Sequence, residues 1–255
     1  MTLNEIYSII IAILAAVAAG LIGSFALMKR MTLAADAISH VALPGLALAI
    51  ALQINPIIGA AGALLVGAVL IWKLEKKTGL STETTIGVIF SASLALGALF
   101  TPSEELIDAL FGNFADTSFP IFFLGLLVAF LIIFFILKFK DALILNLFSK
   151  DLAKSTGVDT SKLDLYFNIA FVLTIILGLR FLGALLVGSL IIIPAAVGRQ
   201  LTSNLKTFLL ISSVVSLVSV VLGITISSYY NIELGPTVII TAAILFLISL
   251  LKKEN

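Results

Sequence analysis

Apolar residues do not alternate along this chain; they come in blocks, each about the 20 residues that a helix needs to cross a hydrocarbon core of about 30 Å. The first block, from Ile6 to Met28, ends at Lys29 and Arg30. It has no basic segment ahead of it, so it reads as a retained span and not a cleaved signal peptide. Further blocks cover 33–53, 56–72, 85–101 and 119–137. The stretch from Leu165 to Val197 is apolar but interrupted by Arg180, by Gly178, Gly183 and Gly188, and by Pro194, as one long bent element or two short passes would be. The last two blocks, 207–229 and 235–251, end at Tyr229 and Tyr230 and at Lys252 and Lys253, residues suited to a membrane interface. The pattern predicts an all-α polytopic membrane protein forming a single domain over 1–255, with no internal repeat.

Basic residues choose between the span counts. With 165–197 as two passes there are about nine spans, the N-terminus lies outside, and the C-terminus is cytoplasmic. All but Arg180 of the 15 lysines and arginines then fall on the inner side. With one pass there are about eight, and Arg199 and Lys206 change sides. Nine is therefore the prediction. It also places Glu104, Glu105, Asp108 and Asp116 in one outer segment, 102–118, either a solvated loop or a mouth that concentrates cations.

Composition sharpens this picture. Of the 255 residues, 61% are hydrophobic and 11% charged, and the mean hydropathy is +1.24; a soluble domain carries roughly 25% charged residues. There is no cysteine, which excludes disulfide scaffolds, thiolate metal sites and thiol catalysis. One histidine cannot build a two- or three-His zinc hydrolase. A net charge of +1 and the lack of a basic stripe argue against nucleic acid. No G-x-x-x-x-G-K-[ST] segment occurs, so energy from ATP would have to come from another polypeptide.

The single histidine is then the most informative residue. Asp36 and His40 stand four apart in the second block and share one helix face. Entering the membrane near Met31, the helix would carry Asp36 roughly 8 Å and His40 roughly 14 Å deep. Ionisable groups at that depth cost about 2.5–3.5 kcal/mol or more each and mark ion or substrate paths. Imidazole plus carboxylate suits zinc, manganese or ferrous iron. Pro44 would free the carbonyl of His40, Gly45 would admit a neighbouring backbone, and Pro194 would bend the later helix beside a pathway. Gly59, Ala63 and Gly67 recur every four residues, a close-packing pattern, and Gly87 and Gly97 belong to the same class. Between the spans, Ser149 to Ser155 reads as a short helix with Ser149 as N-cap and Gly157 as its stop. It would serve as a lipid-facing anchor or as a docking element.

These residues together resemble the permease subunits of metal-ion ABC importers, the zinc, manganese and iron group. The likeness runs nearly the whole chain. It is carried by Lys29-Arg30-Met31 with Asp36-Ala-Ile-Ser39-His40-Val-Ala-Leu-Pro44-Gly45; by Thr85-Ile-Gly87-Val-Ile-Phe90 with Ala95-Leu-Gly97; and by Leu110-Phe-Gly112-Asn113. Asp151-Leu152-Ala153 with Gly157-Val158 and Leu163-Asp164, Gly183-Ala-Leu-Leu-Val with Ile193-Pro194-Ala-Ala196, and Gly235-Pro236-Thr237 complete it.

The resemblance implies a type II ABC importer fold in the cell (inner) membrane, with two permease chains, a homodimer, forming the pathway. ATP-binding subunits would sit below it, and an extracytoplasmic metal-binding protein would deliver the ion. Asp36 and His40 match the positions that contact the metal, and 149–163, with Asp151, Leu152, Ala153, Gly157 and Val158, matches the coupling segment. The chain itself would not be an enzyme and would hold no permanent cofactor; zinc or manganese would be cargo, and ATP would bind the partner. A proton- or ion-coupled secondary transporter using Asp36 and His40 as a relay is the alternative. An intramembrane hydrolase is disfavoured, since no Gly-x-Ser-Gly element accompanies His40.

Overall fold

The computed structural model describes residues 2–31, 33–100 and 117–251, and every element in them is a helix. In chain order these are α1 (Leu3–Met28), α2 (Ala34–Ser39), α3 (Ala42–Ala51), α4 (Pro56–Thr78) and α5 (Thr82–Phe100). After them come α6 (Phe119–Phe148), α7 (Lys150–Ser155), α8 (Thr160–Leu201), α9 (Leu205–Tyr230) and α10 (Leu234–Ser249). The acidic outer segment, and with it Leu110 to Asn113, lies almost wholly outside the described residues.

Local chemistry sets the ends. Thr2 caps α1, its hydroxyl accepting from the Glu5 N–H at 3.2 Å while Glu5 Oε2 accepts from the Thr2 N–H at 2.8 Å. Asn55 with Pro56 behind it opens α4, and Gly79 at φ +69° closes it. Asp159 caps α8 and accepts from the Lys162 N–H. That backbone bond, with the Lys162 side chain beside it, holds the Asp159 carboxyl below its ordinary range.

The centre of the bundle is α1, and small residues put it there. Its run from Ala15 to Ala26 is almost entirely buried. A Cβ on Gly20 would come within 2.6 Å of Ser212 O on α9, and one on Gly23 would overlap the Ile191 carbonyl on α8. Backbones can approach this closely only where side chains are absent. Around α1 pack α6, α8 and α9, while α10 closes against α8 and α9. The outward face of α6 shows Phe119, Phe123, Phe130 and Phe134, a surface that suits acyl chains and not water.

α8 is helical throughout its 42 residues yet is not one pass. A Cβ on Gly178 would overlap the Val187 side chain, whereas a straight helix carries residues nine apart about 13 Å along its axis. The chain therefore doubles back between them. Its second leg descends until Gly198 lies against Ser212 and Phe208, near the start of α9. Thr160–Leu179 and six other helical segments are long and apolar enough to cross a membrane, one of them Ala34–Ala51; Val187–Leu201 and Leu234–Ser249 are shorter apolar helices. Among the described residues the seven segments of spanning length and the two shorter apolar helices roughly fit the nine passes expected from sequence, with 165–197 divided between two legs. Pro194 is buried, and the helix continues through it.

Candidate metal pathway

Asp36 and His40 sit in the discontinuous second pass. The turn after α1 places Arg30 at φ +60°, with the Met31 N–H donating to Ala26 O. The chain then makes the short α2, breaks at His40 and Val41, and resumes as α3. The break precedes Pro44 and is not a kink at it. Pro44 is the third residue of α3, in the first turn, where a missing N–H leaves no helical bond unmade. The expectation that Pro44 frees the His40 carbonyl is thus corrected: His40 O accepts from the Leu43 N–H at 3.1 Å, a tighter turn of three residues.

Three helices hold this broken pass. Gly45 and Gly59 face each other so closely that a Cβ on either would overlap the other's carbonyl oxygen, and Gly67 faces Val41. Gly45 therefore admits a neighbouring backbone as expected, and Gly59, Ala63 and Gly67 form the close-packing stripe on α4. On α5, Gly97 packs against Leu43, but Gly87 faces open space among the described residues. On α8, a Cβ on Gly188 would stand 2.9 Å from the Asp36 backbone nitrogen.

Asp36 is exposed and His40 half-buried. The His40 Nδ1 is buried without a hydrogen-bond partner, and its ring lies 5.6 Å from the Phe90 ring centroid on α5. A buried ring nitrogen of this kind costs free energy unless something binds it. Among the described residues no three His, Cys, Asp or Glu side chains gather as a metal cage. The chain thus offers a carboxylate and an imidazole one turn apart. In the sequence Phe90 stands out only as the last residue of the Thr85-Ile-Gly87-Val-Ile-Phe90 segment, with no sign that it would face His40.

At one end of the bundle the basic residues converge on Asp164, at the start of α8. Its Oδ1 lies 2.8 Å from Lys29 Nζ and accepts from Asn146 Nδ2 at 2.9 Å; Lys150 Nζ is 3.5 Å from its Oδ2. One carboxylate thereby ties α1, α6, α7 and α8. Trp72 Nε1 joins α4 to the same end by donating to Ser161 O at 2.9 Å. In the sequence Asp164 stands in the Leu163-Asp164 piece of the resemblance and at the edge of a span, with no sign that it gathers lysines.

The short helix α7 hangs from this network. The Ser149 hydroxyl accepts from the Leu152 N–H at 3.2 Å, and Gly157 at φ +83° ends it, with the Val158 N–H returning to Ala153 O. Both end residues are those expected. Ala153 is fully buried against the bundle, Val158 is half-buried, and Asp151, Leu152 and Gly157 are exposed.

Comparison with known proteins gives this arrangement its context. The sequence profile described as the ABC 3 transport family matches residues 5–253. The chain is 32% identical over 240 residues to the high-affinity zinc uptake system membrane protein ZnuB of Haemophilus influenzae, covering 92% of each. It is also 32% identical to the manganese import system permease protein ScaB of Streptococcus gordonii, covering 95% of this chain and 88% of that one. Among solved structures, PsaBC from Streptococcus pneumoniae in complex with Fab superposes with a TM-score of 0.83 at 29% identity, covering 100% of this chain and 93% of that one. Matched over nearly its whole length in sequence and in the course of its helices, the chain belongs to the ABC 3 transport family, as a multi-pass membrane permease.

Proposed function

We propose that this permease moves a divalent transition metal, zinc first and manganese or iron beside it, across the cell membrane into the cytoplasm, with Asp36 and His40 as its ligands along the path. The observation that carries this is the buried, unpartnered Nδ1 of His40 at the break between α2 and α3. Two ligands from one pass form a partial shell, and an ion held by a partial shell can leave it. Asp36 is exposed on a single chain, so a second permease copy, in a homodimer, would meet it and add its own ligands.

ATP is bound and hydrolysed by a separate subunit in this reading, and α7 is the element that docks on it. Its apolar anchor Ala153 faces the bundle while Leu152 is 53% exposed. The basic end of the bundle is then cytoplasmic, and an extracytoplasmic metal-binding protein loads the opposite end. The zinc and manganese named for ZnuB and ScaB support the choice of cargo. Family membership favours this reading over a proton-coupled secondary transporter.

Uptake of radioactive zinc by cells, with and without the ATP-binding subunit, separates the two readings. The importer reading predicts no uptake without that subunit. It also predicts loss of uptake to background in the His40→Ala variant with the subunit present. Uptake that survives deletion of the subunit would contradict it.

A further inference from the structure

The two lysines that meet on Asp164 are not equivalent. Lys29 Nζ lies 2.8 Å from Asp164 Oδ1, and these side chains are only 15% and 19% exposed. The same oxygen accepts from Nδ2 of the buried Asn146. Lys29 Nζ also stands 4.4 Å from the Phe167 ring centroid, so α8 holds this ammonium at two points. Lys150, by contrast, is 68% exposed and 3.5 Å from Oδ2. Asp164 thus has a firm arm on α1 and a loose arm on α7, the element read above as docking on the ATP-binding subunit. A cavity of about 180 Å³ beside all three side chains leaves the lysines room to move.

The firm arm ends at the metal pass. Lys29 is the C-cap of α1. The Met31 N–H donates to Ala26 O, and Met31 O accepts from the Ala34 N–H at 3.1 Å, which opens α2. Asp36 lies in the first turn of that short helix. Beyond the break at His40 and Val41, the contact of Gly45 with Gly59 fixes α3 on α4. A short helix that meets a fixed one at a break has a hinge there. On α8, Gly188 presents no side chain to the Asp36 backbone, so α2 can slide across it. Movement of the turn at Lys29 therefore shifts Asp36 relative to α3.

We propose that Asp164 is a positioning residue for transport: it passes movement of α7 through Lys29 to α2, and so ties ATP hydrolysis on the partner subunit to the spacing of Asp36 and His40. This role rests on the transport reading above. Asp164 itself touches no metal. When the partner draws α7 away, Lys150 leaves with it, and the whole charge of Asp164 acts on Lys29. The turn after α1 follows, and α2 pivots at His40 and Val41.

The test measures zinc taken up per ATP hydrolysed in proteoliposomes holding the permease, its ATP-binding subunit and the metal-delivery protein. Asp164→Asn keeps the size of the side chain and an oxygen for Asn146 but removes the charge. A complex of normal composition is expected, with zinc per ATP lower by about tenfold or more, because Lys29 is left mostly buried without its partner. Lys150→Gln changes an exposed side chain, so the fold survives even if Asp164→Asn does not assemble. It lowers the ratio by roughly two- to fivefold, the range of an exposed ion pair. The double variant is no worse than Asp164→Asn alone, since both side chains act along one path. An unchanged ratio in either single variant, uptake and hydrolysis falling in proportion, or losses that multiply in the double variant would each overturn the role of Asp164. An unaltered complex that hydrolyses ATP but takes up neither zinc nor manganese would overturn the transport reading itself, and this role with it.

Discussion

At Gly45 and Gly59 the absence of two side chains sets how close α3 and α4 can come, because a Cβ on either would overlap the carbonyl of the other. Gly45→Val forces the two helices apart at a buried contact, where overpacking costs typically 1–3 kcal/mol and more against backbone. A lower unfolding temperature in detergent is the expected result. Gly87→Ala, which meets open space, leaves that temperature unchanged or slightly raised by the better helix propensity of alanine. The close-packing stripe was legible in the sequence from its four-residue spacing, but the spacing alone does not say which glycines face a partner. Asp36 and His40 were legible for a different reason, since ionisable groups inside an apolar run are expensive. The contacts of Phe90 and Asp164 were not, because their partners come from helices distant in sequence.

Among the elements, α7 is the one whose sequence and structure agree most closely. A serine N-cap and a glycine stop fix both its ends, and the left-handed φ at Gly157 is a cost for any other residue of about 1 kcal/mol. Leu152→Asp alters an exposed side chain and should leave the permease folded while reducing copurification with the ATP-binding subunit at least severalfold. Copurification equal to that of the unaltered chain would remove α7 from the docking surface. The second pass was harder to read. A periodic apolar block predicts a continuous helix, whereas the structure interrupts it at His40 and Val41, before the proline that marked the bend. The reversal within α8 was visible as a conflict between an apolar stretch too long for one pass and basic residues on the wrong side; contact between Gly178 and Val187 resolves it.

The molecule as a whole is organised by where its scarce charges fall. Lys29, Lys76, Lys150 and Lys154 line two adjoining cavities at one end, of about 180 and 430 Å³, as the distribution of lysines along the sequence suggested. Because the chain has no cysteine, single introduced thiols report on sidedness without background. Ser155→Cys, exposed at the end of α7, should react with a membrane-impermeant maleimide only in inverted vesicles. Ile232→Cys, exposed between α9 and α10, should react in intact cells. The opposite pattern would reverse the topology. The central claim is that Asp36 and His40 carry the metal, and it is tested most directly by ATP-driven zinc uptake into proteoliposomes holding the permease with its ATP-binding subunit and metal-delivery protein. The account predicts that His40→Ala, assembled into a complex of normal composition, takes up no zinc above the level seen without ATP; uptake at the rate of the unaltered permease would contradict it.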